Sequence, residues 1–218
     1  MSKSAQPIAK MIAQALEQRI IEGLHEQPVP LRQAELALEF GTSHIPVREA
    51  LATLAEKGLV QIIPNCGAVV VPLSAKQCNE LAGMRVALEL VAIRAAVPNL
   101  TEAHLRRAQT ALARGRSAVK LAFRAQQNWE FHRAIYAAGD QPFLLSQLEA
   151  LWRHADRYLM FAWSRAHYEA RSDSEHEAIL HACAQGDSRL TCRLTKAHIE
   201  SAATNVARLL QITQQSSA

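Results

Sequence analysis

The stretch ELALEFGTSHIPVREALATLAEKGLVQIIPNCGAVV, residues 35–70, decides the reading of the N-terminal part of the chain. It opens inside a short helix beginning at Leu31, in which Leu36, Ala37 and Phe40 share one face and Gly41 supplies the stop. Thr42 and Ser43 offer an N-cap for a second helix from about His44 to Lys57. Pro46 is tolerated in its first turn, where an amide has no intrahelical acceptor to lose. Val47, Ala50, Leu51 and Leu54 fall on the i, i+3, i+4, i+7 stripe that packs inward, while Ile45, Arg48, Glu49 and Ala52 point away. Gly58 ends the helix. LVQII and AVVVPL then read as two β-branched strands joined by a turn of Pro64, Asn65, Cys66 and Gly67.

Upstream, Ile8, Met11, Ile12, Ala15, Leu16, Ile20 and Leu24 recur at helical spacing, predicting an amphipathic helix that ends near Gly23, before Pro28 and Pro30. Three helices followed by a β-hairpin is the order of a winged helix-turn-helix. The outward face of the third helix has the chemistry of a groove reader. Ile45 suits a thymine methyl, and Arg48, one turn on, suits a phosphate or a guanine edge.

Residues 35–70 resemble the GntR family of regulators, whose pattern runs E-L-A-x-x-x-G-V-S-R-x-P-V-R-E-A-L-x-x-L-x-x-x-G-L-V and then a glycine wing. The resemblance implies that Ser43 and Arg48 contact DNA, that Ile45 and Pro46 adjoin them, and that Gly67 is a wing-tip glycine approaching the minor groove. It also places Arg32 where members carry a cation for phosphate or base. The chain departs from the pattern at Thr42, which replaces a valine, and at His44, which replaces an arginine that reads guanine. A neutral imidazole offers one donor and cannot make the bidentate contact, so a different operator or a lower affinity is expected.

Pro72, Leu73 and Ser74 read as a linker between a DNA-binding domain, residues 1–74, and a second domain, residues 75–218. Beyond it strand signals vanish. Helical periodicity covers 76–97, 102–115, 117–138, 142–163, 175–185 and 188–212, giving a mainly α chain that ends in a bundle of six or seven helices. Thr101 reads as an N-cap, Ser174 with Glu177 as a capping box, and Gly186 with Asp187 as one helix's stop and the next one's cap.

Three histidines lie on three of these helices: His132 in NWEFHRAIY, with Asn128 one turn before it, His176 in SEHEAIL, and His198 in TKAHIESA. Converging in a bundle core, three imidazoles suit a divalent cation such as zinc or nickel. With nine histidines in the chain, spacing alone does not distinguish a site from packed or surface residues. Residues 76–212, however, resemble the FCD-type domain of the FadR branch of GntR regulators, in which an Asp and three His hold a metal beside a small carboxylic or sugar acid. The resemblance implies Asn128, His132, His176 and His198 as the metal set, with a neutral amide where the family has a carboxylate. Arg85, in R-x-x-L-E, implies a clamp for an acidic effector, although Glu89 at i+4 offers it a salt bridge instead. Arg153, Arg157, Tyr158 and Asn205 are further candidates to line the effector cavity.

The chain has 218 residues, 49% hydrophobic, and a net charge of +4. Residues 1–75 carry six Lys and Arg against seven Glu, so the basic excess lies in the second domain and any DNA binding rests on a few placed cations. Cys66, Cys78, Cys183 and Cys192 show no C-x-x-C spacing, which points to reduced thiols. No signal peptide or membrane span is read, so a cytoplasmic homodimer on an inverted-repeat operator is expected. A metal-dependent hydrolase is the rival reading. Against it, Glu175 adjoins His176, and neighbours on a helix point about 100° apart, so no base is placed with the histidines and no enzyme is expected.

Overall fold

The computed structural model describes residues 5–21, 30–64, 66–166 and 169–216. The chain divides into two compact units, parted between Pro72 and Leu73. Among the described residues no helix is long and apolar enough to cross a membrane.

The first unit holds α1 (Ala5–Ile21), β1 (Pro30–Arg32), α2 (Gln33–Glu39), α3 (His44–Glu56), β2 (Val60–Ile63) and β3 (Gly67–Val70). Ile12, Leu16, Val47, Leu51 and Leu54 are buried together with Leu36, Leu59 and Val70, so the stripe read on α3 is the one that packs. Both predicted glycine stops adopt the left-handed backbone that only glycine takes without strain, at φ +60 for Gly41 and φ +67 for Gly58. Behind them, the amides of Thr42 and Leu59 donate back to Ala37 and Leu54 at 2.9 and 3.0 Å. The predicted stop near Gly23, together with Leu24, Pro28 and Asn65, lies outside the described residues.

The hairpin is one strand larger than its sequence indicates. Pro30–Arg32 pairs antiparallel with β3, Pro30 opposite Val69 and Arg32 opposite Gly67, giving a sheet ordered β1-β3-β2. α2 therefore starts at Gln33 and not at Leu31. Proline donates nothing to a ladder and is accepted on an edge strand, which β1 is.

The second unit consists, among the described residues, of six α-helices: α4 (Ala75–Ala96), α5 (Glu102–Arg116), α6 (Leu121–Tyr136), α7 (Pro142–Ala166), α8 (Glu169–Ala184) and α9 (Ser188–Ser216). α4 lies against α7 and α9, α5 against α6 and α8, and α8 against α9. Their shared interior holds Trp152, Phe131, Ile93, Ile135, Leu148, Ile179 and Ile199. Ser74 Oγ caps α4 by accepting the Gln77 amide at 3.3 Å, and Asp187 Oδ1 caps α9 by accepting that of Leu190 at 2.8 Å. At Thr101 the reciprocal partner is His104, whose Nδ1 accepts the Thr101 amide at 3.2 Å.

The expected capping box at Ser174 and Glu177 does not form. α8 begins at Glu169, so Ser174 lies inside the helix and its hydroxyl donates to the Arg171 carbonyl at 2.9 Å. Asp173, on the same early turn, is held by Arg124 at 2.8 Å, tying the start of α8 to α6.

Candidate functional site

On α3 the residues expected to face outward do so. Ser43, His44 and Arg48 are exposed, and Ile45 is 61% exposed beside a fully buried Val47. Arg48 makes no ion pair among the described residues, leaving its guanidinium available. Arg32 is also exposed, with Nη1 3.3 Å from Glu35 Oε1.

Two expected contact residues sit elsewhere. Pro46 is buried in the first turn of α3, where it shapes the helix start and offers no surface to a duplex. Gly67 is buried in β3 at φ +129, and a Cβ there would collide with the Leu31 carbonyl. The close approach of β1 by itself requires glycine here, whatever the hairpin meets. The exposed end of the hairpin is made by Ile62, Pro64 and Cys66.

In the second unit the bundle brings three predicted ligands together. His132 from α6, His176 from α8 and His198 from α9 are each buried, and their candidate ligand nitrogens all lie within 4.8 Å of one another. His132 Nε2 and His176 Nε2 are 3.2 Å apart. Nitrogens bound about 2.0–2.1 Å from one zinc ion stand roughly 3.3 Å apart in a tetrahedron; the His132–His176 pair has that spacing, and the chemistry of the three-imidazole set suits such an ion. Burial, and then the charges of neighbouring histidines, hold His132 and His176 well below the ordinary histidine value. Both are thus neutral imidazoles, the form that ligates metal.

The outer nitrogens are engaged. His198 Nδ1 is 2.7 Å from Glu175 Oε2, and Arg171 Nε donates to the same carboxylate at 2.9 Å. Burial pushes the Glu175 carboxyl up, but the His198 and Arg171 hydrogen bonds outweigh it and hold the group below its usual range. This corrects the expectation that Glu175 stays apart from the histidines: pointing away from His176 is what carries it across to His198 on α9. Both its oxygens are occupied there, so it orients the His198 ring and is not a free base. On the other side His132 Nδ1 is 3.1 Å from the Tyr136 hydroxyl, which donates to Glu89 at 2.5 Å.

Arg85 makes the salt bridge that its i,i+4 spacing offers. Its Nε donates to Glu89 at 2.7 Å with both side chains buried, and its guanidinium carbon lies 3.7 Å from the centre of the Trp152 ring. Its Nη2 is buried with no hydrogen-bond partner among the described residues. Arg85 also walls a cavity of about 30 Å³ among α4, α7 and α9, with Cys78, Tyr158, Leu159 and Ile199. Asn128 is buried and lines a second cavity that His176 also reaches.

Arg153 and Asn205 are not in this machinery. Arg153 is 54% exposed beside Glu149, and Asn205, half-buried on α9, accepts from Arg208 at 3.4 Å through Oδ1. Neither lines either cavity, and Arg157, though buried, lines neither as well. Tyr136 and Glu89 were not singled out as site residues, yet each stands four places from a residue that was, on the same helix face.

Residues 8–70 match the model of the bacterial regulatory proteins of the gntR family, and residues 80–201 match that of the FCD domain. The chain is 26% identical to the HTH-type transcriptional repressor RspR of Escherichia coli K12 over 94% of its own length and 92% of that protein's. It is 30% identical to the HTH-type transcriptional regulator McbR of the same organism, covering 75% of this chain and 76% of McbR. The solved structure of Escherichia coli McbR/YncC has the same fold, with a TM-score of 0.70 at 22% identity over 93% of this chain and 98% of that one.

Proposed function

This chain belongs to the gntR family of bacterial regulatory proteins, carries an FCD domain and is a transcription regulator; we propose that it works in the cytoplasm as a homodimeric repressor on an inverted-repeat operator. The observation that carries this is the α3 surface: Ile45 and Arg48 stand exposed on a helix held by buried Val47 and Leu51. In this reading Arg48 makes a phosphate or guanine contact, Ile45 an apolar one, and Ser43, His44 and Arg32 flank them. The first unit has little positive charge to spread over a duplex, so these few contacts bear most of the affinity.

The second unit, we infer, senses a small organic acid beside a divalent ion. His132, His176 and His198 would hold the ion, with Asn128 as a neutral fourth donor, and a bound zinc or nickel supplies a positive centre for a carboxylate. Arg85, through its unpartnered Nη2, supplies the second anchor in the adjoining cavity. The acid shifts operator affinity only by binding one arrangement of the dimer better than the other, and release from DNA is the expected direction.

The test is an electrophoretic shift on DNA from upstream of the protein's own gene, over a salt series, with and without a panel of small carboxylates. A discrete complex that weakens with salt and responds to one acid supports the reading. No complex at low salt would overturn the operator role, and indifference to every acid the sensor role.

A further inference from the structure

A continuous line of buried side chains joins the cavity beside α4 to the histidine cluster. Glu89, fully buried, accepts from Arg85 Nε at 2.7 Å and from the Tyr136 hydroxyl at 2.5 Å. A phenol has one proton, and here it points to Glu89. The Tyr136 oxygen, 3.1 Å from His132 Nδ1, therefore acts towards the ring only as an acceptor, which puts the ring proton on Nδ1. His132 Nε2 is left with a lone pair, and that atom faces His176 Nε2 at 3.2 Å. At the other end, Arg85 lines the cavity, and its buried Nη2 has no hydrogen-bond partner among the described residues.

We propose that Tyr136 and Glu89 are positioning residues that hold His132 with its Nε2 lone pair turned to the cluster, and that they tie this arrangement to what occupies the Arg85 cavity. The inference rests on the reading that the cluster takes a divalent ion. Groups that orient a ligating imidazole from behind set both its tautomer and its donor strength. An anion on Arg85 Nη2 competes with Glu89 for the same guanidinium. Glu89 then bonds Tyr136 differently, and His132 responds. Linkage makes the effect reciprocal: the ion alters the cavity's affinity for the anion by the same factor.

Tyr136→Phe keeps the ring packing and removes only the phenolic oxygen. Zinc affinity, measured by competition with a chromophoric chelator, is expected to fall roughly 10–100-fold. In the metal-free protein, ¹⁵N chemical shifts of His132 should report the Nδ1–H tautomer for the wild type and a shifted mixture for the variant. Acetate, the smallest carboxylate probe, should change zinc affinity in the wild type and not in Tyr136→Phe. Equal zinc affinities with an unchanged tautomer overturn the positioning role, and acetate indifference in the wild type overturns the tie to the cavity. If the wild type takes no zinc, the ion reading fails, while the tautomer measurement still decides whether Tyr136 positions His132. Glu89→Gln, which keeps the shape of the side chain, should reproduce the tautomer change if the line of contacts acts as one.

Discussion

Glu175 Oε2 lies 2.7 Å from His198 Nδ1, although the two residues are on different helices and Glu175 follows the chain directly into His176. One short segment of α8 thus serves the cluster twice, by an imidazole that points inward and a carboxylate that reaches sideways. Replacing Glu175 with Ala should weaken zinc binding roughly 10–100-fold, because His198 loses the group that fixes its orientation. The carboxylate is 23% exposed, so the metal-free protein should melt close to the wild type. A chelator competition with no change in Kd would count against the carboxylate's role.

Arg48→Ala removes an exposed cation that makes no ion pair among the described residues. Operator affinity should drop about tenfold to a hundredfold, with the dependence on salt becoming shallower if the lost contact is to phosphate. Denaturant stability should stay within about 0.5 kcal/mol of the wild type. Ile45→Ala, by contrast, should lose affinity without altering the salt slope. If both variants bind as the parent does, α3 is not the reading helix.

Acid should destabilise the metal-free protein. In the unfolded chain His132 and His176 take up protons near pH 6.5, about the ordinary histidine value. In the folded chain burial first, and neighbouring charge second, keep both well below it. Above the unfolded value neither state is protonated at these positions and pH has no leverage. Below it the unfolded chain gains protons that the folded chain refuses, so stability falls with pH, by up to about 1.4 kcal/mol per unit for each ring. Urea midpoints of chelator-treated protein measured from about pH 7 to about pH 5 check this. A flat profile would mean that the rings are not held neutral.

Gly67→Ala should cost about 1–3 kcal/mol from backbone strain alone, and more from the collision with the Leu31 carbonyl. Thermal unfolding of the variant measures it. A melting temperature equal to the wild type's would show that β1 does not close on β3.

Most of the first unit was legible because its signals are local. Gly41 and Gly58 mark stops, and the Val47–Leu54 spacing assigns the inner face of α3. β1 escaped notice because three residues are too few to show alternation, and its partner is more than thirty residues away. In the second unit, the i,i+4 pairs Arg85–Glu89 and His132–Tyr136 can be read from the sequence one at a time. Their union through the Tyr136–Glu89 bond cannot, since it depends on how α4 and α6 pack. The same limit hid Glu175, whose partner lies on α9. Arg153 and Asn205 show the converse: polarity makes them candidates, but neither lines either cavity beside the cluster.

The glycine at position 67 sits against a strand of its own unit, so the grammar of the sheet is enough to demand it. Its presence in a sequence testifies that a third strand closes over the hairpin. A chain that had lost all affinity for a promoter would still need it.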